Sequence, residues 1–146
     1  MSSRSTPTSI SWRSPVTTTP DLRTAVDWAI DQVREQFVGH PVEAIREPGG
    51  DVVVIIDDVR IGDQYEPNMT WLGFRISAAY PNAEVYPHNI GQVSRLDGAG
   101  HGGAIQQVTW QGRPALQLSR RSNGWNPRRD TAALKAAKVL AWFAGQ

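Results

Sequence analysis

The sequence predicts an α+β fold in which one helix precedes an antiparallel sheet and a second helix follows it. Apolar residues recur at three- and four-residue spacing over residues 21–38 and again after Asp130, which is the period of a half-buried helix. Between them, the run from Val52 to Ile56 contains only β-branched residues, as is typical of a buried strand. We therefore expect a helix, a meander of about four strands, a long segment that carries the functional site, and a last helix.

The first helix is predicted from Asp21 to Val38. Its apolar stripe consists of Leu22, Ala25, Val26, Ala29, Ile30, Val33 and Phe37. Thr19 can cap the first turn, Pro20 suits the first helical position, and Gly39 ends the helix. Trp28 falls near the edge of the stripe, and we expect it in the core.

The strands are predicted from β-branched and aromatic residues and from the turn sequences that separate them. The strands of the meander are Val42 to Arg46, Val52 to Ile56, Met69 to Ser77, and a fourth that begins within Ala83 to Tyr86. In the segment that follows the meander, two more runs have strand character, Ile105 to Trp110 and Ala115 to Leu118.

The last helix is predicted to open at Asp130 or Thr131. Its apolar side consists of Leu134, Ala137, Val139, Leu140 and Phe143, and Lys135 and Lys138 are expected to face the solvent. Just before this helix, Trp125 is expected to pack beneath the site and to set the position at which the helix starts.

Length and composition limit the kind of protein. The chain has 146 residues, the size of one domain, which we predict over residues 19–146. Residues 1–18 are rich in Ser, Thr and Pro and are expected to form a flexible arm. The absence of cysteine excludes a disulfide scaffold, a cysteine-based zinc site and a cysteine nucleophile. No apolar run approaches the roughly 20 residues of a membrane span, and no signal peptide is recognisable, so we expect a cytoplasmic protein.

The charge is balanced overall but unevenly distributed. The formal net charge is +1, yet residues 21–69 hold eleven acidic and four basic side chains, whereas residues 113–146 hold seven basic and one acidic. The basic segment includes arginines that could contact phosphates, namely Arg113, Arg120, Arg121, Arg128 and Arg129. Because exposed aromatic residues do not alternate with them, a protein-binding surface is favoured over a nucleic-acid-binding one.

The common motifs of enzyme chemistry are missing. His40, His88 and His101 have no second histidine three or four residues away, so we predict no metal site. The glycine-rich loop over residues 97–103 lacks the lysine of a phosphate-binding loop, and no Gly-x-Ser-x-Gly marks a serine nucleophile. The acidic pair at residues 57–58 follows a strand, which favours a solvated turn over an acid–base pair. We expect no cofactor.

Several short motifs occur in a suggestive order. Tyr65-Glu66, the strand Trp71 to Ile76 and the turn Tyr80-Pro81 follow the first helix, and Ala115-Leu116 and Trp125-Asn126-Pro127 precede the last one. In this order, over residues 20–146, the chain resembles the ubiquitin-conjugating enzyme family, in its divergent bacterial branch.

This resemblance implies that the protein accepts a ubiquitin-like modifier from an activating enzyme as a thioester and transfers it to an amine. It places Ala115 at the position of the catalytic cysteine and offers His88, Asn89 and His101 as assisting groups. Because alanine cannot form a thioester, the chain as written is expected to be inactive. Ala115 is either an engineered replacement or a feature of a naturally inactive relative. The alternative function is a non-enzymatic module of the same fold that binds the modifier or another partner.

The expected partners are the ubiquitin-like modifier and its activating enzyme. The resemblance implies that the first helix contacts the activating enzyme. Arg23, Asp27 and Arg34 lie on its predicted exposed face, and a face of mixed charge suits an electrostatically steered contact. Arg120 and Arg121 are expected to add a basic contact. A small nucleic-acid-binding protein is the third hypothesis, and steep weakening of binding by salt would identify it.

Overall fold

The structure, a computed structural model, describes residues 23–146 and confirms the α+β class. One helix precedes the antiparallel sheet in the chain and a second helix follows it. The predicted arm over residues 1–18 and the predicted helix start at Thr19 and Pro20 lie outside the described residues. The elements are α1 (Ala25–Gln36), β1 (Val42–Arg46), β2 (Val52–Arg60), β3 (Tyr65–Glu66), β4 (Met69–Ile76), β5 (His88–Gly91), β6 (Ser94–Arg95), β7 (Ile105–Trp110), β8 (Arg113–Leu118) and α2 (Ala132–Ala144).

The main sheet has six strands in the order β1-β2-β4-β5-β8-β7, and β3 pairs separately with β6. The two further runs predicted to have strand character are β7 and β8; they join the predicted meander in one sheet, so the supposed site segment supplies a third of it. The fourth strand of the meander, expected to begin within residues 83–86, begins slightly later, at His88. Pro87 has no backbone N–H to donate, so a strand ladder starts naturally just after it. The acidic pair at residues 57–58 lies at an irregularity within β2, with both side chains exposed.

Helix α1 begins at Ala25, four residues later than predicted. Thr24 is its N-cap and forms a reciprocal capping box with Asp27: the hydroxyl of Thr24 accepts from the Asp27 N–H at 3.1 Å, and the Asp27 carboxylate accepts from the Thr24 N–H at 3.0 Å. Trp28 is 56% exposed, so its predicted core position was wrong; the guanidinium of Arg23 covers its ring at 4.3 Å.

Helix α2 begins after its N-cap Thr131, as predicted, but one of its faces was misassigned. Lys135, expected in solvent, is 4% exposed, and its ammonium group donates to Glu84 at 2.6 Å and to Ser122 Oγ at 2.7 Å. Leu134, expected in the apolar stripe, is exposed instead. The burial of Lys135 follows from the carboxylate of Glu84, which lies 51 residues away in the sequence and is invisible to helical periodicity.

The two faces of the sheet have different surroundings. One face packs against the apolar sides of α1 and α2 and forms the core. Alternation along the strands sends every second residue to the other face. No helix of the described chain belongs to that second face, which we call the open face. On the four strands β4, β5, β8 and β7 it includes Trp71, Gly73, Arg75, Asn89, Gly91, Val108, Trp110, Ala115 and Gln117.

Candidate functional site

Two tryptophans show that the open face is concave. Trp71 is on β4 and Trp110 is on the edge strand β7, with two strands between them. Adjacent strands lie about 4.8 Å apart, so in a flat sheet these backbones would be too distant for their side chains to stack. Their rings nevertheless stack with centroids 5.7 Å apart and planes 16° apart. The sheet therefore curls at this end, and the tryptophan pair, Trp71 and Trp110, closes over its concave side.

Small residues form the floor beneath the tryptophan pair. The ring of Trp110 lies across Gly73, where an added Cβ would be 2.6 Å from Cη2, and Nε1 of Trp71 would lie 3.0 Å from a Cβ at Gly91. Ala115 pairs directly with Gly91 and is fully buried. The resemblance placed a catalytic cysteine at this position, but the structure places the side chain in the interior of the concave face. The side chain present at residue 115 is therefore not in contact with solvent.

The two histidines proposed to assist catalysis lie on the other side of the sheet. His88 is on β5, fully buried beside the ring of Phe74 at 5.1 Å, and neither ring nitrogen has a hydrogen-bond partner. Burial, with a smaller contribution from the nearby Lys135 ammonium, lowers the pKa of His88 to about 3, so the ring stays neutral at physiological pH. His101 precedes β7, with Nε2 2.9 Å from the carbonyl oxygen of Val93.

Of the four predicted catalytic positions, the structure thus brings only two together. Asn89 and Ala115 share the open face on neighbouring strands, whereas His88 and His101 lie on the helix-covered side. Acyl transfer needs a nucleophile, a base and an oxyanion donor within hydrogen-bond reach of one another. That arrangement does not occur at these four positions.

The predicted contacts of the first helix are partly engaged within the protein. Arg23 forms an ion pair with Asp31, and Arg34 donates to the carbonyl oxygen of Val42 at 3.2 Å. Asp27 caps the helix and accepts from Arg46 at 2.6 Å. Hydrogen bonds from the Thr24 backbone and then from Arg46 lower the pKa of Asp27 to about 2. The charges of Asp27 and Arg34 therefore already have structural partners.

A pocket of about 420 Å³ opens on the concave face next to the tryptophan pair. We call it the sheet-face pocket, and its main lining residues are Arg75, Tyr86, Asn89, Thr109, Trp110 and Gln117. Aromatic rings form two of its walls. A volume of several hundred cubic ångströms and a few convergent polar groups are typical of a ligand site.

The floor of the sheet-face pocket carries two amides. Asn89 and Gln117 are directly opposite each other on β5 and β8. Asn89 is only 3% exposed, but its amide atoms are not among the enclosed polar atoms that lack a partner; within residues 23–146 those are the two ring nitrogens of His88. Both amides line the pocket, so they are accessible to a ligand that enters it.

Charged side chains surround the pocket. The guanidinium of Arg75 donates two hydrogen bonds to Glu47, at 2.7 and 3.1 Å, and these bonds lower the pKa of Glu47. The guanidinium of Arg121 lies 3.9 Å from the centre of the Tyr86 ring. The surroundings of the pocket therefore contain an ion pair, Arg75 with Glu47, and a cation, Arg121, over the ring of Tyr86.

Sequence reasoning missed Trp71, Trp110 and Gln117 as site residues. A signal was present, because Gly73 and Gly91 occur within strand sequences, where glycine often marks the close approach of another group. The group that approaches Gly73 comes from β7, which is separated from β4 by two strands, and the pairing of strands was not deducible from the pattern.

Comparisons of this chain with protein-family models, with curated proteins and with solved structures found no match. Over residues 23–146, no cluster of three side chains suited to holding a metal ion occurs. In the same part of the chain, neither helix is long and apolar enough to cross a bilayer.

Proposed function

We propose that this protein is a non-enzymatic binding module that holds an extended segment of a partner protein in the sheet-face pocket. The observation that carries the proposal is the pair of amides, Asn89 opposite Gln117, that lines this pocket together with Trp110. The proposal is the alternative that the sequence left open, and the burial of Ala115 favours it over acyl transfer.

A peptide fits the chemistry of the pocket. Each side-chain amide offers one acceptor oxygen and two N–H donors, which match the N–H and C=O of a peptide group. Trp110 and Tyr86 offer flat apolar walls for the side chains on either side of that group. Main-chain hydrogen bonds with side-chain pockets alongside are a common way to recognise an extended segment.

The partner class follows from the resemblance to ubiquitin-conjugating enzymes, which remains a prediction. We propose a ubiquitin-like modifier or its activating enzyme as the source of the segment, in the cytoplasm. In this proposal Ala115 is a natural small residue beneath the tryptophan pair. The missing nucleophile is then a property of the protein and not the loss of an activity.

The test is selection of short peptides displayed on phage against the wild-type protein, followed by measurement of affinity by fluorescence anisotropy. The Asn89→Leu variant should bind the selected peptides at least about tenfold more weakly, because a charge-neutral amide that pairs in the complex is lost. Its thermal stability should stay close to that of the wild type, since Asn89 lies on the open face, away from the core. Trp28→Ala, which removes an exposed tryptophan from α1, should bind like the wild type. Failure to enrich any peptide, or equal binding by Asn89→Leu, would contradict the proposal.

A second measurement separates the binding module from the conjugating enzyme. Ala115→Cys creates the single thiol of the chain. Because residue 115 is fully buried, we expect that thiol to react slowly with thiol reagents in the native state and rapidly after unfolding. With an activating enzyme, its modifier and ATP, no reductant-sensitive adduct should form. Formation of that adduct would restore the conjugating-enzyme hypothesis.

A further inference from the structure

A second pocket, of about 440 Å³, lies between the segment that follows β8 and one side of α2. We call it the basic pocket, and its charged and aromatic lining includes Arg120, Arg121, Arg129, Lys135, Lys138 and Trp142. One acidic residue, Asp130, lines it as well. Five cations against one carboxylate give the cavity a strong excess of positive charge.

Part of this charge is compensated and part is not. Lys135 is paired with Glu84, which also lies 3.7 Å from Arg121, and Arg129 lies 3.9 Å from Asp130. Within the described part of the chain, Arg120 and Lys138 have no carboxylate oxygen within salt-bridge distance. Elsewhere, the arginines that pair with carboxylates are Arg23, Arg46, Arg60, Arg75 and Arg95. Arg34, Arg113 and Arg128 also have no salt bridge in the described chain, but they do not line this pocket; the basic pocket is where two such cations, Arg120 and Lys138, line one cavity.

The basic pocket also has an apolar side. Trp142 and Val139 line it from α2, and the indole of Trp142 is half-buried. The guanidinium of Arg120 lies 5.8 Å from the centre of that indole, which holds one free cation beside an aromatic wall. An anion bound here would therefore have a flat apolar surface within reach.

We propose that the basic pocket binds a phosphate monoester of a small molecule with a flat apolar portion. The phosphate, which carries a charge of about −1.5 to −2 at neutral pH, contacts Arg120 and Lys138, and the apolar portion packs on Trp142. The volume suits a small ligand. A nucleic acid would be contacted by cations spread along a surface, whereas the two cations of this proposal line one cavity beside an aromatic ring.

The test uses phenyl phosphate as the probe, with inorganic phosphate and phenol as comparisons, in isothermal titration calorimetry with the full chain. Phenyl phosphate should bind more tightly than inorganic phosphate, and phenol should not bind measurably. Lys138→Gln and Arg120→Gln should each weaken binding by roughly tenfold or more, since each removes a charged hydrogen bond. Trp142→Leu should lower the affinity for phenyl phosphate to that for inorganic phosphate. Both basic side chains are exposed, so these variants should melt like the wild type.

Arg128→Gln is the matched control, because Arg128 is an exposed arginine of the same segment that does not line the pocket. It should leave the affinity unchanged. The proposal is overturned if phenyl phosphate does not bind, or if Arg128→Gln weakens it as much as Lys138→Gln. It is also overturned if duplex DNA binds more tightly than phenyl phosphate and all the arginine variants weaken that binding alike. Asn89→Leu should bind phenyl phosphate normally, so failure of the peptide proposal would leave this result intact.

Discussion

Replacement of His88 by leucine should reduce the dependence of stability on pH between about pH 5 and pH 7. His88 is fully buried on the core side of β5, and neither ring nitrogen has a hydrogen-bond partner. Burial lowers its pKa to about 3 in the folded protein; the ammonium of Lys135 acts in the same direction, and the carboxylate of Glu84 opposes it. In the unfolded chain the ordinary value of about 6.5 applies.

The sign follows from the difference in bound protons. Below about pH 6.5 the unfolded chain takes up a proton at His88 that the folded protein does not, so the free energy of unfolding falls as the pH falls. The contribution is fully present above the unfolded pKa and is lost progressively toward pH 3. From neutral pH to about pH 5 the loss amounts to about 2 kcal/mol, from about 1.5 pH units at 1.36 kcal/mol each. This figure holds for any folded pKa well below 5.

The assay is urea denaturation of the wild type and of His88→Leu at neutral pH and at about pH 5. The variant should lose about 2 kcal/mol less than the wild type on acidification, and at neutral pH it should be at least as stable, because two unpaired polar atoms are removed. His40→Gln, at a partly exposed histidine, is the control and should keep the full pH dependence of the wild type. Equal pH dependence in His88→Leu and the wild type would refute the reasoning.

Two further predictions concern single contacts. Glu84→Gln should destabilise the protein by about 3–5 kcal/mol in urea denaturation, because the buried ammonium of Lys135 loses its carboxylate. The same change at Glu47, whose partner is more exposed, should destabilise the protein much less. Gly73→Ala should cost about 1–3 kcal/mol and shift the tryptophan fluorescence, because the added methyl group would displace the ring of Trp110. Unchanged stability and fluorescence in Gly73→Ala would show that the tryptophan pair does not close over the sheet.

The fold class was predictable because it depends on local signals. The β-branched run at Val52–Ile56 and the cap at Thr131 are each specified within a few residues, and both occur in the structure. Errors arose where a distant residue decides. Lys135 is buried because its ammonium group pairs with the carboxylate of Glu84. Trp28 lies at the edge of the apolar stripe of its helix, where burial depends on the neighbouring elements, and it is exposed. Hydrophobic periodicity predicts the type of an element and its apolar face, but it does not predict which residues of other elements will contact it.

The candidate site was less predictable for the same reason. Asn89 was chosen from a resemblance as a group that assists catalysis, and the structure puts it in a pocket whose walls come from β7 and from the residues before β5. The concavity that buries Ala115 depends on the register of four strands. Three small residues, Gly73, Gly91 and Ala115, lie in one region of the open face and allow this concave shape. In the sequence they are far apart, so they indicate it only once the pairing of the strands is known.

The two pockets are not independent, because they share one ion pair. Glu84 lines the sheet-face pocket, and Lys135, which it holds at 2.6 Å, lines the basic pocket. Lys135 and Ser122 both donate hydrogen bonds to Glu84. Burial alone would raise the pKa of Glu84, but these bonds have the larger effect and lower its pKa. A substitution at Glu84 or Lys135 would therefore disturb stability and both pockets at once, and its effect on binding could not be assigned to either. Asn89 and Lys138 each line one pocket and lie outside this pair, so changes at these two positions can test the two proposed sites separately.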